Sequence, residues 1–366
     1  MIKMSSFWNH NITISIFGES HGPAIGVVLD KLPSGEHIDA EELRCFMARR
    51  APKKDATSTQ RRESDMPSIL SGIYNNYTTG TPLAAFISNT DTHSQDYGNI
   101  SKLARPGHAD YTGALRYKGF NDVRGGGHFS GRLTAPLCFA GAICGQILER
   151  RGIYTAAHIL QIHKIKDTKF NPCQVSREEL IALRHKKFPT LNDKKGEAMV
   201  EDITKARESM DSLGGIVECI VTNVPAGIGS PIFDGLENSI SQLVFGIPAV
   251  KGIEFGAGFQ VAEMLGSQNN DEFYVDDHGH VLTKTNNHGG ILGGISSGMP
   301  IVFRAAFKPT PSIARPQETV DLSAMKNETL EIKGRHDPCV VPRAVPCIEA
   351  AANIAILSHM LNYPNF

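Results

Sequence analysis

The stretch of residues 105–132 constrains the chain most, because its composition suits neither a core helix nor a core strand. It reads RPGHADYTGALRYKGFNDVRGGGHFSGR and holds four arginines, one lysine, two histidines and seven glycines. Glycine lets the backbone approach a ligand closely, and arginine matches phosphate or carboxylate oxygens with paired hydrogen bonds. His108 and His128 can exchange protons near neutral pH. The stretch therefore predicts a site for an anionic small molecule.

Composition and charge exclude several other classes of protein. The chain has 366 residues, of which 41% are hydrophobic and 20% charged, as in a soluble globular protein of one large or two ordinary domains. The formal net charge is −1, so no global positive field favours nucleic acid. Seven Lys and Arg side chains stand against one acid, Asp55, in residues 44–62. Such a run is either a solvated face or part of an anion site.

The cysteines and the apolar segments bear on the compartment. The seven cysteines are odd in number and include no CxxC pair, which favours reduced thiols over a disulfide framework or a zinc site. The first 20 residues lack the apolar core of a signal peptide. No stretch approaches the roughly 18 uninterrupted apolar residues of a membrane span. We predict a cytoplasmic protein with no metal, no membrane contact and no nucleic-acid partner.

Hydrophobic periodicity predicts interleaved strands and helices. Asp39 and Glu42 have the spacing of a capping box at the start of a helix that ends near Arg50. Apolar residues recur at helical spacing in residues 130–151, which predicts a long buried helix. Strands are predicted at 11–18, 25–32, 69–74, 82–88, 154–165, 215–224 and 250–255, and further helices at 200–213, 236–245 and 343–361. No GxGxxG fingerprint is present, and residues 164–195 look like a peripheral insertion.

Three further polar clusters lie far from residues 105–132 in sequence. GESHGP at 18–23 follows a predicted strand, and its His21 is either functional or a hydrogen-bonded structural residue. The glycine-rich runs 266–271 and 287–294, with KPTPS at 308–312, are either plain turns or phosphate-binding nests. GRHDPC at 334–339 enters the final helix, where Asp337 is either functional or a helix cap.

Together these motifs resemble the chorismate synthase family, and the resemblance covers essentially the whole chain. GESHGP, RPGHADYT with RGGG and a downstream Ser-Gly-Arg, and GRHDPC with RAVPxxEA match the three signature regions of that family in order and spacing. SQNxDE, NHGGILGGISSGMP and KPTPSI add matches between the second and third regions. Agreement at this density is far more specific than any single motif.

The resemblance implies both a fold and a reaction. The implied fold is α+β, with a central helical layer between two antiparallel β-sheets, two similar halves, a single domain over residues 1–366 and a homotetrameric assembly. The implied enzyme is a carbon–oxygen lyase that eliminates phosphate from 5-enolpyruvylshikimate-3-phosphate, in an anti 1,4 sense, to give chorismate. It uses reduced FMN without net redox change. We expect an external flavin reductant, with NADPH as an indirect source of electrons.

The resemblance also assigns roles to residues. His21 interacts with the reduced flavin, His108 supplies a proton to the departing phosphate, and Asp337 assists removal of the C6 hydrogen. The implied substrate-binding residues are Arg49, Arg50, Arg105, Arg132 and Arg335. The implied cofactor-binding residues are His128, Phe129, Ser130, Gln268, Asn269, Gly293, Lys308, Pro309, Thr310, Pro311, Ser312 and Arg335.

Five positions depart from the common family pattern. His128 and Phe129 replace an arginine and a small residue of the common bacterial form, and Leu133 replaces a glutamate. Ala51 and Ala56 stand where many members have arginine, although lysines and arginines nearby preserve the local charge. A different flavin-dependent or phosphate-handling lyase, or an inactive homologue, is the alternative interpretation. The retained arginines and the His21, His108 and Asp337 set argue against both.

Overall fold

The computed structural model describes residues 6–52, 63–91, 102–332 and 337–363. Its strands are β1 (Phe7–Asn9), β2 (Thr13–Gly18), β3 (Ala24–Asp30), β4 (Ser68–Ile69), β5 (Ile73–Tyr74), β6 (Tyr77–Thr78), β7 (Leu83–Ser88), β8 (Tyr154–Ile162), β9 (Ile165–Lys166), β10 (Gly215–Thr222), β11 (Val250–Phe255), β12 (Phe273–Val275), β13 (Val281–Thr283), β14 (Ile291–Leu292), β15 (Ile295–Ser296), β16 (Ile301–Phe307), β17 (Gln317–Asp321) and β18 (Lys326–Leu330). Its α-helices are α1 (Ala40–Arg50), α2 (Asp110–Arg116), α3 (Thr134–Glu149), α4 (Arg177–Arg184), α5 (Asp193–Glu208), α6 (Leu236–Phe245), α7 (Gly266–Asn269) and α8 (Val341–Met360). Short 3₁₀ helices occupy Arg124–Phe129, Gly131–Leu133 and Gly258–Glu263.

Two antiparallel sheets enclose a layer of helices in the described part of the chain. The first sheet has the strand order β1-β2-β3-β7-β4, and the second has the order β11-β16-β10-β8-β9. Helix α3 packs on β3 and β7 of the first sheet, and α8 packs on β8 and β10 of the second. The α+β fold with a central helical layer, predicted from the family resemblance, is therefore confirmed.

The two central helices are apolar on nearly every face because protein surrounds them. In α3 every residue from Thr134 to Leu148 is buried, and α8 is buried over almost its full length. A Cβ atom built on Gly141 would lie 2.2 Å from the Cα atom of Ala350, so this glycine lets the two helices pack backbone against backbone. Both helices are long and apolar enough to span a membrane, but 94% and 89% of their apolar windows are buried inside the protein. They are core helices.

The predicted capping box of α1 forms only in part. The Asp39 carboxylate accepts hydrogen bonds from the backbone N–H groups of Glu41 and Glu42, both at 2.8 Å, as an N-cap does. The Glu42 carboxylate instead accepts from Arg150 at 3.1 Å, and the Asp39 N–H donates to Gln146. The prediction of a complete capping box was therefore wrong. Gln146 on α3 and Arg150 just after it bind the two groups that would have formed the second hydrogen bond of the box.

The predicted insertion at residues 164–195 is part of the fold. Leu180 and Leu183 of α4 are buried against Phe170 and the outward side chains of the second sheet. This small second core covers the outer face of that sheet, so β10 and β16 are buried on both faces.

Candidate active site

A cavity of about 670 Å³ lies where the ends of several distant segments meet. Its walls come from the turn after β2, the glycine-rich loop at 105–132, residues 245–251 between α6 and β11, residues 307–312 after β16, and the N-terminal part of α8. Cavities of about 300–1,000 Å³ are typical of small-molecule sites. Most of the residues predicted from sequence to bind a ligand therefore share one cavity.

His108 is held on this cavity wall by a carboxylate at the start of α2. His108 Nδ1 lies 2.7 Å from Asp110 Oδ1, and Arg105 donates to both oxygens of the same carboxylate at 2.7 Å each. Burial opposes ionisation of Asp110, but the hydrogen bonds from Arg105 and His108 outweigh burial and lower the pKa of the Asp110 carboxyl far below its ordinary value. The carboxylate orients the ring, so Nε2 is the nitrogen that can serve a ligand.

Two more arginines share a buried acidic pair at the base of the cavity. Arg50 and Arg132 both donate to Asp65, Arg132 at 2.7 Å, and Arg132 also donates to Glu63 at 3.0 Å. Arg50 reaches Thr134 and the Gly131 carbonyl with its remaining donors. Burial raises the pKa of Asp65, and the two arginines lower it by more, so the net direction is down. The guanidinium groups are fixed in place before any ligand binds.

His21 packs against the glycine run of the long loop. Gly125, Gly126 and Gly127 all have positive φ, and a Cβ atom built on Gly125 would lie 2.0 Å from His21 Nδ1. The same atom built on Gly126 would lie 3.2 Å from His108 Nε2. The three glycines therefore let the loop pass between the two histidines, which both line the cavity.

We predict that Gly125→Ala disables the site while Gly119→Ala does not. Both glycines have positive φ, so each substitution costs about 1–2 kcal/mol of backbone strain. A Cβ atom on Gly119 would meet nothing within 4 Å, whereas on Gly125 it would displace His21. We expect kcat to fall by about tenfold or more in Gly125→Ala and to stay near wild type in Gly119→Ala. Equal activities in the two variants, measured at a temperature where both are folded, would contradict this placement of His21.

Asp337 faces the cavity beside Arg343 and does not cap the last helix. Its Oδ2 atom lies 2.6 Å from Arg343 Nη1. Helix α8 begins after Val340, which makes no side-chain cap, so the helix-cap interpretation of Asp337 is wrong. The Arg343 Nε–H also donates to the Arg50 carbonyl at 3.1 Å. This links the carboxylate to the backbone beside the arginine pair.

The residues after the glycine run form one side of the cavity. His128 Nδ1 lies 2.8 Å from the Gly18 carbonyl oxygen, and Nε2 contacts Ser6. The Phe129 ring fills the space left by Gly113 of α2, where a Cβ atom would lie 2.6 Å from it. Ser130 caps the next 3₁₀ helix by accepting from the Arg132 N–H at 3.3 Å. His128 thus joins the loop to the end of β2.

The opposite side carries two lysines and a polar strand end. Lys308 donates to the Gly107 carbonyl, and burial together with nearby Lys251 lowers the pKa of its ammonium group. Ser312 lies 3.4 Å from Arg105 Nη1. Among the described residues, the buried Thr310 hydroxyl has no hydrogen-bond partner. Since Thr310 lines the cavity, that hydroxyl is available to a ligand.

Several predicted site residues lie elsewhere. Arg49 points into the helical layer, where it donates to both oxygens of the buried Glu349 at 2.6 and 2.7 Å. Pro309 packs beside Gly214 instead of lining the cavity. Gln268 and Asn269 lie in α7 and Gly293 in the β14–β15 turn, outside the cavity walls of their own chain. Arg335 and Ala56 lie outside the described residues.

Sequence reasoning missed four charged residues that shape the site. Asp110 stands inside the RPGHADYT motif, two residues after His108, and Arg343 opens the RAVPxxEA motif, so both carried a signal. Asp65 follows the basic run together with Glu63, and acids next to a run of cations suggest ion-pair partners. Lys251 lies in a strand and carried no signal. Its approach to Lys308 depends on how β11 pairs with β16.

The fold and the cavity define a class of protein. The cavity combines arginines held by ion pairs, two lysines and a histidine oriented by a carboxylate. Such a set is typical of an enzyme site that binds a small molecule with several negative charges and transfers a proton.

Comparisons with known proteins identify the family within that class. The chorismate synthase family model matches residues 12–361. The chain is 47% identical to the chorismate synthase of Thermococcus kodakarensis over 350 residues, 96% of each chain, and 45% identical to that of Lancefieldella parvula over 373 residues, 99% and 98% of the two chains. A crystal structure of chorismate synthase matches with a TM-score of 0.75 and 27% identity, covering 97% of this chain and 93% of that one. The chain belongs to the chorismate synthase family and functions in the shikimate pathway.

Proposed function

We propose that the chain converts 5-enolpyruvylshikimate-3-phosphate to chorismate and phosphate in this cavity, as a carbon–oxygen lyase. The observation that carries the proposal is the His108–Asp110–Arg105 arrangement beside Arg50 and Arg132. A substrate with one phosphate and two carboxylates needs several converging cations. Each well-placed charge-assisted contact contributes about 1.5–3 kcal/mol.

His108 and Arg105 serve the departing phosphate in this proposal. Asp110 takes the Nδ1 side of the ring, so Nε2 holds the proton that passes to a phosphate oxygen as the carbon–oxygen bond breaks. The anionic Asp110 stabilises positive charge on the imidazole before that transfer. Arg105 binds the same phosphate through the donors that Asp110 does not occupy.

The cavity residues fit a flavin mononucleotide. Ile247, Pro248 and Ala249 give an apolar wall, and Lys251 with Lys308 supplies cations for a phosphate. The Thr310 hydroxyl has no partner among the described side chains and backbone, so it can bind a polar edge. We propose that the flavin is held by His21, His128, Phe129, Ser130, Lys308, Thr310, Pro311 and Ser312. When bound, reduced flavin supplies electron density transiently as phosphate leaves.

Asp337 assists removal of the C6 hydrogen, and we predict that Asp337→Asn lowers kcat by at least about 100-fold. The amide has the shape of the carboxylate but cannot accept a proton. The substitution removes the ion pair with Arg343 and none of the hydrogen bonds that join Arg50 and Arg132 to Asp65. KM for the substrate should stay within a few-fold of wild type. Asp39→Asn is the matched control, because Asp39 caps α1 and asparagine caps helices equally well. A loss of tenfold or less in Asp337→Asn would contradict a role in proton removal.

The proposal extends to the surroundings of the enzyme. All seven cysteines are free thiols, which supports a cytoplasmic location.

We propose a homotetramer in which Gln268, Asn269 and Gly293 reach the flavin site of a neighbouring subunit. Phe259, Leu265 and Phe273 near these residues are more than 60% exposed, which supports burial between subunits. Light scattering of the purified protein measures the assembly.

Flavin reduction is proposed to come from an external reductant. The test compares chorismate formation from substrate and FMN under anaerobic conditions with dithionite, with NADPH, and with NADPH plus a flavin reductase. We expect product with dithionite and with the reductase, and none with NADPH alone. Product with NADPH alone would show that the chain reduces its own flavin. No product under any condition would contradict the proposed function.

A further inference from the structure

A second polar cluster lies at the far end of α8 from the cavity. His10 follows β1, Asp234 precedes α6, and His359 is in the last turn of α8. One ligand atom from each of the three side chains lies within 4.8 Å of the others, and His10 Nε2 is 2.9 Å from Asp234 Oδ1. Since Cys347 lines the cavity and His359 follows 12 residues later in the same helix, the cluster is about 18 Å further along. The proposed reaction does not use it.

Each histidine is oriented by a serine through its other ring nitrogen. His10 Nδ1 lies 2.7 Å from Ser358 Oγ, and His359 Nε2 lies 2.8 Å from Ser239 Oγ. Ser358 Oγ is itself fixed, because it accepts from the Ile12 N–H at 3.1 Å. Histidine ligands of metals characteristically use one nitrogen for the metal and the other for such a supporting hydrogen bond. The serines therefore take Nδ1 of His10 and Nε2 of His359, and they leave Nε2 of His10, which contacts Asp234, and Nδ1 of His359.

The three groups also have suitable burial and charge. His359 is buried, His10 is partly buried and the Asp234 side chain is 57% exposed, so an ion could enter from solvent and keep a water ligand. Burial, with the neighbouring His10, lowers the pKa of His359 to about 4.

We propose that His10, Asp234 and His359 form a binding site for Zn²⁺ or a similar divalent transition-metal ion. His10 binds through Nε2, Asp234 through its carboxylate, and His359 through the nitrogen that Ser239 leaves free. With Nε2 on the metal, His10 Nδ1 carries the proton and donates it to Ser358. Tetrahedral zinc at about 2.0–2.1 Å from its ligands separates them by about 3.3 Å, so small side-chain rotations complete the site.

The expected role of the ion is structural. It joins the N-terminal strand, the loop before α6 and the C-terminal helix. Any two of these three segments are separated by more than 100 residues along the chain. An ion that binds only the folded protein stabilises it by about 2.7 kcal/mol at a concentration 100 times Kd. The spacing of these residues in sequence gives no sign of a metal site, because the fold alone assembles them.

Trp8 provides a direct probe, since it is the one tryptophan of the chain and its ring centroid lies 5.8 Å from that of His10. The purified full chain, treated with chelator, is titrated with Co²⁺ while Trp8 fluorescence and visible Co²⁺ absorption are recorded. Zn²⁺ is then added to compete, and thermal unfolding is measured with and without Zn²⁺. The variants are His10→Ala, Asp234→Asn and His359→Gln, where glutamine can still bond Ser239.

Asp202→Asn is the matched control. Asp202 pairs with His163 at 3.1 Å on the surface, and among the described residues no third potential ligand lies close enough to complete a metal site there. We expect one Co²⁺ per chain to quench Trp8, Zn²⁺ to reverse the absorption and raise Tm, and Asp234→Asn to weaken binding at least tenfold while folding normally. Asp202→Asn should bind as wild type. Quenching that persists unchanged in His10→Ala and Asp234→Asn, or no saturable quenching in wild type, would overturn the proposal.

Discussion

Replacing His108 with alanine is expected to lower kcat by about 10²–10⁴-fold while FMN still binds. The reason is that, in the proposed mechanism, His108 donates the proton to phosphate and Asp110 orients it through a 2.7 Å contact at Nδ1. Steady-state rates of chorismate formation with dithionite-reduced FMN measure the effect, and flavin fluorescence measures FMN binding. Unchanged turnover would remove His108 from the mechanism.

Asp110→Asn separates orientation from proton donation. Asparagine cannot stabilise positive charge on the imidazole and breaks the paired contact with Arg105. We expect its kcat to fall with a changed pH–rate profile, whereas a purely structural role would move Tm and leave the profile unchanged. His163→Ala, on the surface beside Asp202, is the control and should match wild type.

Replacing Arg49 with alanine is expected to cost about 3–5 kcal/mol of folding free energy. Glu349, with 1% of its side chain exposed, would be left buried without its two hydrogen bonds from Arg49. Its remaining contact with the Ala157 N–H does not neutralise the charge. Chemical unfolding of the purified variants measures the loss.

Arg44→Ala is the matched control for Arg49→Ala on the same helix. Arg44 is exposed and pairs with Glu41 one turn away, so its removal should cost far less folding free energy than that of Arg49. Adding Glu349→Gln to Arg49→Ala should recover part of the lost stability, because it removes the uncompensated charge. A loss below 1 kcal/mol in Arg49→Ala would instead favour the anion-binding role predicted from the family motif.

Arg49 and Arg50 are a case in which the sequence does not predict which side chain faces the cavity. The family resemblance implied that both bind the anionic substrate, but neighbouring residues on a helix point about 100° apart. Arg50 therefore reaches Asp65 at the cavity, and Arg49 reaches Glu349 in the helical layer. Helical geometry predicts that the two differ, and only the packing of α1 against α3 and α8 decides which one faces the cavity.

The elements with strong periodic patterns were predicted well. The buried helix of residues 130–151 corresponds to α3 preceded by 3₁₀ turns, and the strands at β2, β3 and β11 fall at their predicted places. The layered arrangement came from family resemblance, because the pairing of strands distant in sequence leaves no periodic signal. The cavity walls contributed by Ile247 and Lys251 were missed for the same reason.

The most direct test of the account is the stoichiometry of a single anaerobic reaction. Wild-type chain is mixed with 5-enolpyruvylshikimate-3-phosphate and dithionite-reduced FMN, and chorismate, phosphate and the flavin spectrum are followed together. We expect equal amounts of chorismate and phosphate, over many turnovers, with the flavin still reduced at the end. Phosphate without chorismate, or flavin oxidised in proportion to product, would contradict it.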